Sequence, residues 1–177
     1  MSIKRKLENG ITLCFSLFGL LGRVLFCNKV HFSPLTFVSL SARLKTYEKG
    51  LIRVGKLSAI KANTEICATH GKIVIGKQCF INRNCMIVSH EEITIGDRTT
   101  IGPNVCIYDH DHDGKGSYVS KPINIGKNVW IGAGCVLLKG VNIGDDTIIG
   151  AGSVISKDIP SRTIVYQKRN TVVESQK

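Results

Sequence analysis

The sequence predicts an all-β solenoid, a parallel β-helix whose coils are about eighteen residues long. Two observations predict it. An aliphatic residue recurs every six positions, at Ile75, Ile81 and Ile87, then at Ile95, Ile101 and Ile107, and again at Ile125, Ile131, Leu137, Ile143, Ile149 and Ile155. Glycine follows it directly at Gly76, Gly96, Gly102, Gly126, Gly132, Gly144 and Gly150, and a small or β-branched residue comes four positions after it at Cys79, Cys85, Thr99, Val105, Val129, Cys135, Val141, Thr147 and Ser153. A helix repeats every 3.6 residues and a two-faced strand every 2, so neither yields this beat. Three hexads closing one turn do.

Residues 1–50 carry no hexads and are expected to form a separate apolar and basic segment. Lys4, Arg5 and Lys6 precede an apolar run from Ile11 to Phe26 that Gly19, Gly22 and Arg23 interrupt. The run is too short and broken to span a bilayer, and no small-residue cleavage site of a signal peptide follows it. Two readings stay open: an interfacial helix, or a helix packed on the end of the solenoid or on a partner subunit. Pro34 is expected to separate this segment from the rest.

The solenoid domain is placed at residues 51–160. A weaker first coil reads from Val54 (with Gly55 and Ser58), Ile60 (with Thr64) and Ile66, giving about five coils in all. The aliphatic side chains should point inward and stack on their equivalents at the ~4.8 Å spacing of paired strands. The small residue faces in beside a corner, and glycine is expected to tolerate the backbone angles and the close approaches of the bends. Phase breaks map to surface loops. Small ones fall at His70–Lys72 and Ser89–Glu92, and a large one at 109–121, "DHDHDGKGSYVSK", carries two histidines and three aspartates. It is the one long polar excursion within the repeat, so function is sought there. Residues 161–177 read as a tail.

Composition narrows the function classes. The formal charge is +11 and uneven, with eleven Lys and Arg in residues 1–61 against Glu8 and Glu48. Such a field suits anionic lipid or phosphate ligands. No basic stripe interleaved with aromatics marks a nucleic-acid interface, so nucleic acid is not an expected partner. Seven cysteines are dispersed without a C-x-x-C. That pattern supports neither a disulfide framework nor a zinc site and favours a reducing cytoplasm. Cys79, Cys85 and Cys135 hold the small inward positions, where a thiol acts as a small hydrophobe.

The hexads, with "GPNVCIYDHDHD" and "PINIGKNVWIGAGCVLLKGVNIGDDTIIGAGSVISKDIP", resemble the left-handed β-helix, hexapeptide-repeat acyltransferases. The nearest branch looks like the maltose and galactoside O-acetyltransferases and the enzymes that acetylate surface polysaccharides. The resemblance covers roughly residues 54–160. It implies a left-handed coil, an exception to the usual right-handed crossover, and a homotrimer with active sites between subunits. It further implies acetyl-CoA as co-substrate and a sugar or lipid-linked glycan as acceptor. In that branch eight positions counted from the valine of "PNV" lead to the catalytic histidine, and from Val105 this count lands on His112. A neutral imidazole there takes the proton of an attacking hydroxyl. The resemblance also assigns Asn82 to the acceptor, Trp130 to the cleft wall, and Ala133, Ala151, Ser156 and Lys157 to the coenzyme A groove, with backbone N–H groups near Ala133 as oxyanion donors. His90, His110 and Asp109 complete the acceptor-side candidates. His90 stands where the sugar acetyltransferases carry an acceptor-binding Asp, and "VYQKRN" replaces their usual "G-x-P-A" tail.

Two rival classes are weighed beside this one. A γ-carbonic-anhydrase-like metal hydratase would use His90, His110 and His112, but the spacing here is H-x-H where that family has H-x-x-x-x-H; no metal is expected. A non-catalytic solenoid would lack a cleft histidine paired with a cleft tryptophan. The expected location is the cytoplasm, with attachment to the inner membrane face through residues 1–30.

Overall fold

The computed structural model describes residues 29–114 and 117–168, and the apolar run at 11–26 lies outside them. The described chain is a left-handed parallel β-helix with no helix in it. Its first coil is β1 (Val30–Phe32), β2 (Phe37–Val38) and β3 (Arg43–Thr46). The second is β4 (Leu51–Val54), β5 (Ala59–Ile60) and β6 (Glu65–Ala68), and the third is β7 (Lys72–Ile75), β8 (Phe80–Ile81) and β9 (Met86–Ser89). The fourth is β10 (Glu92–Ile95), β11 (Thr100–Ile101) and β12 (Cys106–Tyr108). The hairpin of β13 (His110–His112) and β14 (Tyr118–Ser120) then leaves the solenoid. The fifth coil is β15 (Ile123–Ile125), β16 (Trp130–Ile131) and β17 (Val136–Leu137), the sixth β18 (Asn142–Ile143), β19 (Ile148–Ile149) and β20 (Val154–Ile155), and β21 (Ile164–Val165) comes last. Each coil contributes one strand to each of three parallel sheets, which form the faces of a prism.

The solenoid starts a coil earlier than the sequence boundary at residue 51. Val30–Phe32 pair with Ile52–Val54, and Arg43–Thr46 pair with Glu65–Ala68. Val38 and Ala42 are buried as inward residues, while no glycine follows the inward aliphatics of this coil, so the hexads are hidden. Pro34 lies in the first corner of this coil, between β1 and β2, and does not mark a boundary of the solenoid. The C-terminal side also extends. Ile159 bridges to Ile143, β21 pairs with β19, and the Gln167 amide donates to Val154 O and accepts from Val154 N. Residues 161–168 are thus an incomplete seventh coil, not a free tail.

Inward aliphatics form the core. Ile52, Ile73, Ile93 and Ile123 stand in one column, and Val54, Ile75, Ile95, Ile125 and Ile143 in the next, all buried. The small inward residue does more than avoid crowding. Ser58, Thr64 and Thr99 donate their hydroxyls to Gly76, Asn82 and Gly126 carbonyls at 2.7–2.8 Å, and the Cys79 and Cys85 thiols lie 3.2 and 3.1 Å from the Gly96 and Gly102 carbonyls. A short side chain with a donor therefore satisfies a corner carbonyl that would otherwise be buried unpaired. Burial pushes both thiols up, so they stay protonated and unreactive.

Of the two expected roles of glycine, close approach holds and special backbone angles do not. The left-handed backbone falls two residues later, at Gln78, Arg98, Asn128 and Asp146, with φ of 55–59°. There the N–H groups of Arg98, Asn128 and Asp146 donate to the Lys77, Asp97 and Lys127 carbonyls of the preceding coil, which holds the turn. Glycine is needed for close approach instead. A Cβ on Gly96 would stand 2.5 Å from the carbonyl carbon and oxygen of Gly126. Because the obstacle is backbone, Gly96→Ala should cost about 1–3 kcal/mol, the usual penalty of overpacking, read as a lower denaturation midpoint with an unchanged slope.

Candidate functional site

Three corners join the faces, and the candidate residues divide between two of them. The corner from the third face to the first carries His70 after β6, His90 after β9, and the hairpin after β12. The repeat stacks these positions one coil apart. The His90 and His110 rings lie 3.9 Å apart at 24°, and His70 is 5.9 Å from His90. Tyr118 packs edge-on against His90 at 4.3 Å, and His112 stands perpendicular to His110 at 5.8 Å. His70 belongs to this cluster and was missed in the sequence. The signal was available, because His70, His90 and His110 are evenly spaced by one coil plus its insertion.

Exposure separates the two loop histidines. His112 is exposed on β13, opposite Tyr118 in the hairpin. The His110 side chain is only 12% exposed, and its Nδ1 is 3.5 Å from Asp109 Oδ1. His70 Nδ1 pairs with Glu48 at 2.8 Å. Burial holds the His90 imidazole below its ordinary value, and the neighbouring His110 acts in the same direction. Burial also pushes the nearby Tyr108 phenol up to about 12, so it remains neutral.

Asp109 is not available to an acceptor, contrary to the sequence expectation. It is fully buried, and its carboxylate accepts hydrogen bonds from Ser89 Oγ, His90 N and Glu91 N, each at 2.8 Å. The reason is positional: Asp109 is the last residue before the hairpin leaves the corner, so its side chain turns into the preceding coil.

The remaining candidates lie elsewhere in the chain. Trp130 is 58% exposed on the second face, between Thr100 and Ile148. Ala133 and Ala151 are exposed one coil apart at the corner from the second face to the third. Asn82 is at that same corner two coils earlier than Ala133, its Oδ1 accepting from Arg83 N at 2.8 Å. Ser156 and Lys157 follow β20 on the histidine corner. A single chain therefore does not bring Trp130, Asn82, Ala133 or Ala151 to the histidines. No three His, Cys, Asp or Glu among the described residues gather as metal ligands. The stacked His90 and His110 rings present faces to each other, which gives the hydratase reading no support.

The family model described as "Bacterial transferase hexapeptide (six repeats)" matches residues 122–157. The chain is 42% identical over 94 residues to nodulation protein L of Rhizobium meliloti, covering 50% of this chain and 51% of that protein. It is 43% identical over 98 residues to the galactoside O-acetyltransferase of Escherichia coli, covering 52% and 48%. It thus spans about half the length of the curated relatives it matches. Among solved structures it resembles AntD, an N-acyltransferase from Bacillus cereus in complex with dTDP and 3-hydroxybutyryl-CoA, with a TM-score of 0.68 at 20% identity over 76% of each chain. That likeness shows the fold. The chain carries the repeat of the bacterial hexapeptide transferases, as its hexads predict.

The lowered His90 value has a consequence for stability. The unfolded imidazole titrates near ~6.5, so as pH falls below that the unfolded state takes up a proton that folded His90 resists. The neutral His90 contribution is fully present above the unfolded value and is lost as pH drops towards the folded one. The destabilisation caused by His90→Asn should therefore shrink between pH 7 and pH 5, measured by urea unfolding at each pH. A constant difference would show that His90 does not resist protonation.

Proposed function

We propose that this protein is an acyltransferase that moves an acetyl group from acetyl-CoA to a hydroxyl of a sugar or lipid-linked glycan precursor. The observation that carries the reading is the His112 hairpin, an exposed imidazole projecting at the family's motif position from a corner lined with further imidazoles. The name of the galactoside O-acetyltransferase relative supports a carbohydrate-modifying enzyme, and the acyl-CoA complex of AntD supports the donor class. Ala133 and Ala151 are small exposed side chains one coil apart, and the reading lays the pantetheine arm along them.

The acceptor hydroxyl hydrogen-bonds to His112, which takes its proton as the oxygen attacks the thioester carbonyl. The Ala133 backbone N–H meets the developing oxyanion, since those of Gly132 and Gly134 already donate to the Ile149 and Pro103 carbonyls. The C–S bond then breaks, and the proton held by His112 passes to the leaving thiolate, giving an ester and a free thiol with the histidine neutral again. A second reading exchanges the histidines, with His110 as base. It is favoured by the 3.5 Å approach of Asp109 to His110 Nδ1.

Because the histidines and Trp130 lie on different parts of one chain, the reading includes a homotrimer in which one subunit's hairpin meets its neighbour's second face. His112→Ala should lower kcat by about 10²–10⁴-fold, and His110→Ala much less. His112→Ala and Trp130→Ala subunits, mixed after unfolding, should regain activity, because some interfaces then pair an intact histidine with an intact tryptophan. Activity no higher than the sum of the two variants would reject the shared site. A larger loss from His110→Ala would favour the second reading.

The N-terminal segment, outside the described residues, is proposed to hold the enzyme at the cytoplasmic membrane face. A basic residue near an anionic leaflet contributes about 1 kcal/mol, and an apolar face adds burial at the headgroup boundary. Since β1 begins at Val30, the truncation that tests this removes residues 1–28 only. Full-length protein should co-sediment with anionic liposomes at low salt and the truncated protein should not; equal behaviour would reject the attachment.

A further inference from the structure

Asp109 takes no proton in the steps above, yet it is the one fully buried carboxylate among the described residues. Leaving a carboxylate buried costs several kcal/mol unless donors surround it. Here three donors do so, and all belong to one short stretch, Ser89–Glu91, at the corner of the coil below. The Asp109 carbonyl also accepts from Lys121 N at 2.8 Å, which closes the neck of the hairpin. One residue therefore fixes where the hairpin leaves the solenoid and in which direction it points.

The same carboxylate faces His110. Its Oδ1 is 3.5 Å from Nδ1, a buried ring nitrogen with no hydrogen-bond partner in this geometry. The approach is too poorly formed for a full hydrogen bond, but the imidazole is held by its stack on His90 and the carboxylate by its three donors. A fixed negative charge this close favours the form of His110 with a proton on Nδ1, which leaves Nε2 as the basic nitrogen.

We infer that Asp109 is a positioning residue: it anchors the histidine hairpin to the preceding coil and holds His110 in its Nδ1–H tautomer. The role rests on the proposed acyl-transfer reading only in its kinetic consequence. The tautomer is independent of any substrate.

Two measurements on the full chain test it. Long-range ¹H–¹⁵N spectra, recorded at a pH where histidine is neutral, should give His110 of the wild-type protein as the Nδ1–H tautomer. Asp109→Asn, which keeps the shape but offers one acceptor oxygen where there were two, should shift His110 towards Nε2–H. Ser89→Ala, which removes one donor and leaves the charge, should keep the wild-type tautomer. In acetyl transfer, Asp109→Asn should lower kcat by about 10²-fold, the cost of a small misplacement, with the KM for acetyl-CoA unchanged. A wild-type His110 found as Nε2–H overturns the inference without any variant, so failure of Asp109→Asn to fold would not protect it. An Asp109→Asn protein with wild-type tautomer or wild-type kcat overturns it as well. A wild-type protein that transfers no acetyl group to any acceptor tried would count against the proposed function, while the tautomer would still decide the role of Asp109.

Discussion

The structure depends on one constraint, the in-register parallel pairing of each coil with the next. Main-chain bonds lock Ile52 over Ile73 and Ile93, and Gly55 N over Ile75 O, so no residue can slip without unpairing a whole face. Whatever the sequence repeats, the fold then stacks into a column. Inside, this makes the isoleucine columns. On the outer face it makes the amide ladder of Asn124 and Asn142, closed by Asp158. At a corner it brings together histidines twenty residues apart in sequence.

That constraint also explains why one chain is not enough for the proposed chemistry. Each face of a prism looks away from the others, so columns on different faces diverge however close they are in sequence. Trp130 follows the hairpin by only ten residues beyond Ser120, yet it stands on another face. The exposed apolar side chains there, Trp130, Ile148 and Ile164, form a vertical strip through β16, β19 and β21. A second copy laid against that strip would bury it and bring a tryptophan to a neighbour's histidine.

Most of the fold was legible because inward positions demand aliphatics and corners demand small residues, and both are local rules. The first coil was not, because Val30, Phe32, Val38, Ala42 and Leu44 meet the inward demand without the glycine that marks the hexads elsewhere. The last coil was hidden for a different reason: Gln167 replaces a strand with its side-chain amide, which has no period to read. Within the candidate site, His112 was singled out by counting from Val105 in the motif of the family that the chain resembles. His70 was passed over although its twenty-residue spacing from His90 repeats that of His90 from His110, because its short phase break reads by itself as a surface loop. Asp109 was assigned to the acceptor because a loop aspartate usually stands open at the surface; burial in the coil below is a tertiary fact that its neighbours in sequence do not express.

The hairpin shows which of its tethers decides its position. Lys139 pairs with Asp111 at 2.9 Å, but the Asp111 side chain is 70% exposed. Such surface pairs are worth about 0–1 kcal/mol and weaken with salt. Tyr118 adds a ring contact with His90, and it too is partly in solvent. Asp109 differs in kind, since releasing it would leave three donors without their acceptor, the buried Ser89 hydroxyl among them, at a cost of about 1–3 kcal/mol for each group left buried and unsatisfied. The outer contacts can break and reform at little cost, while the root of the hairpin stays where the coil holds it. A long insertion can thus hang from a rigid solenoid with its first histidine held against the core.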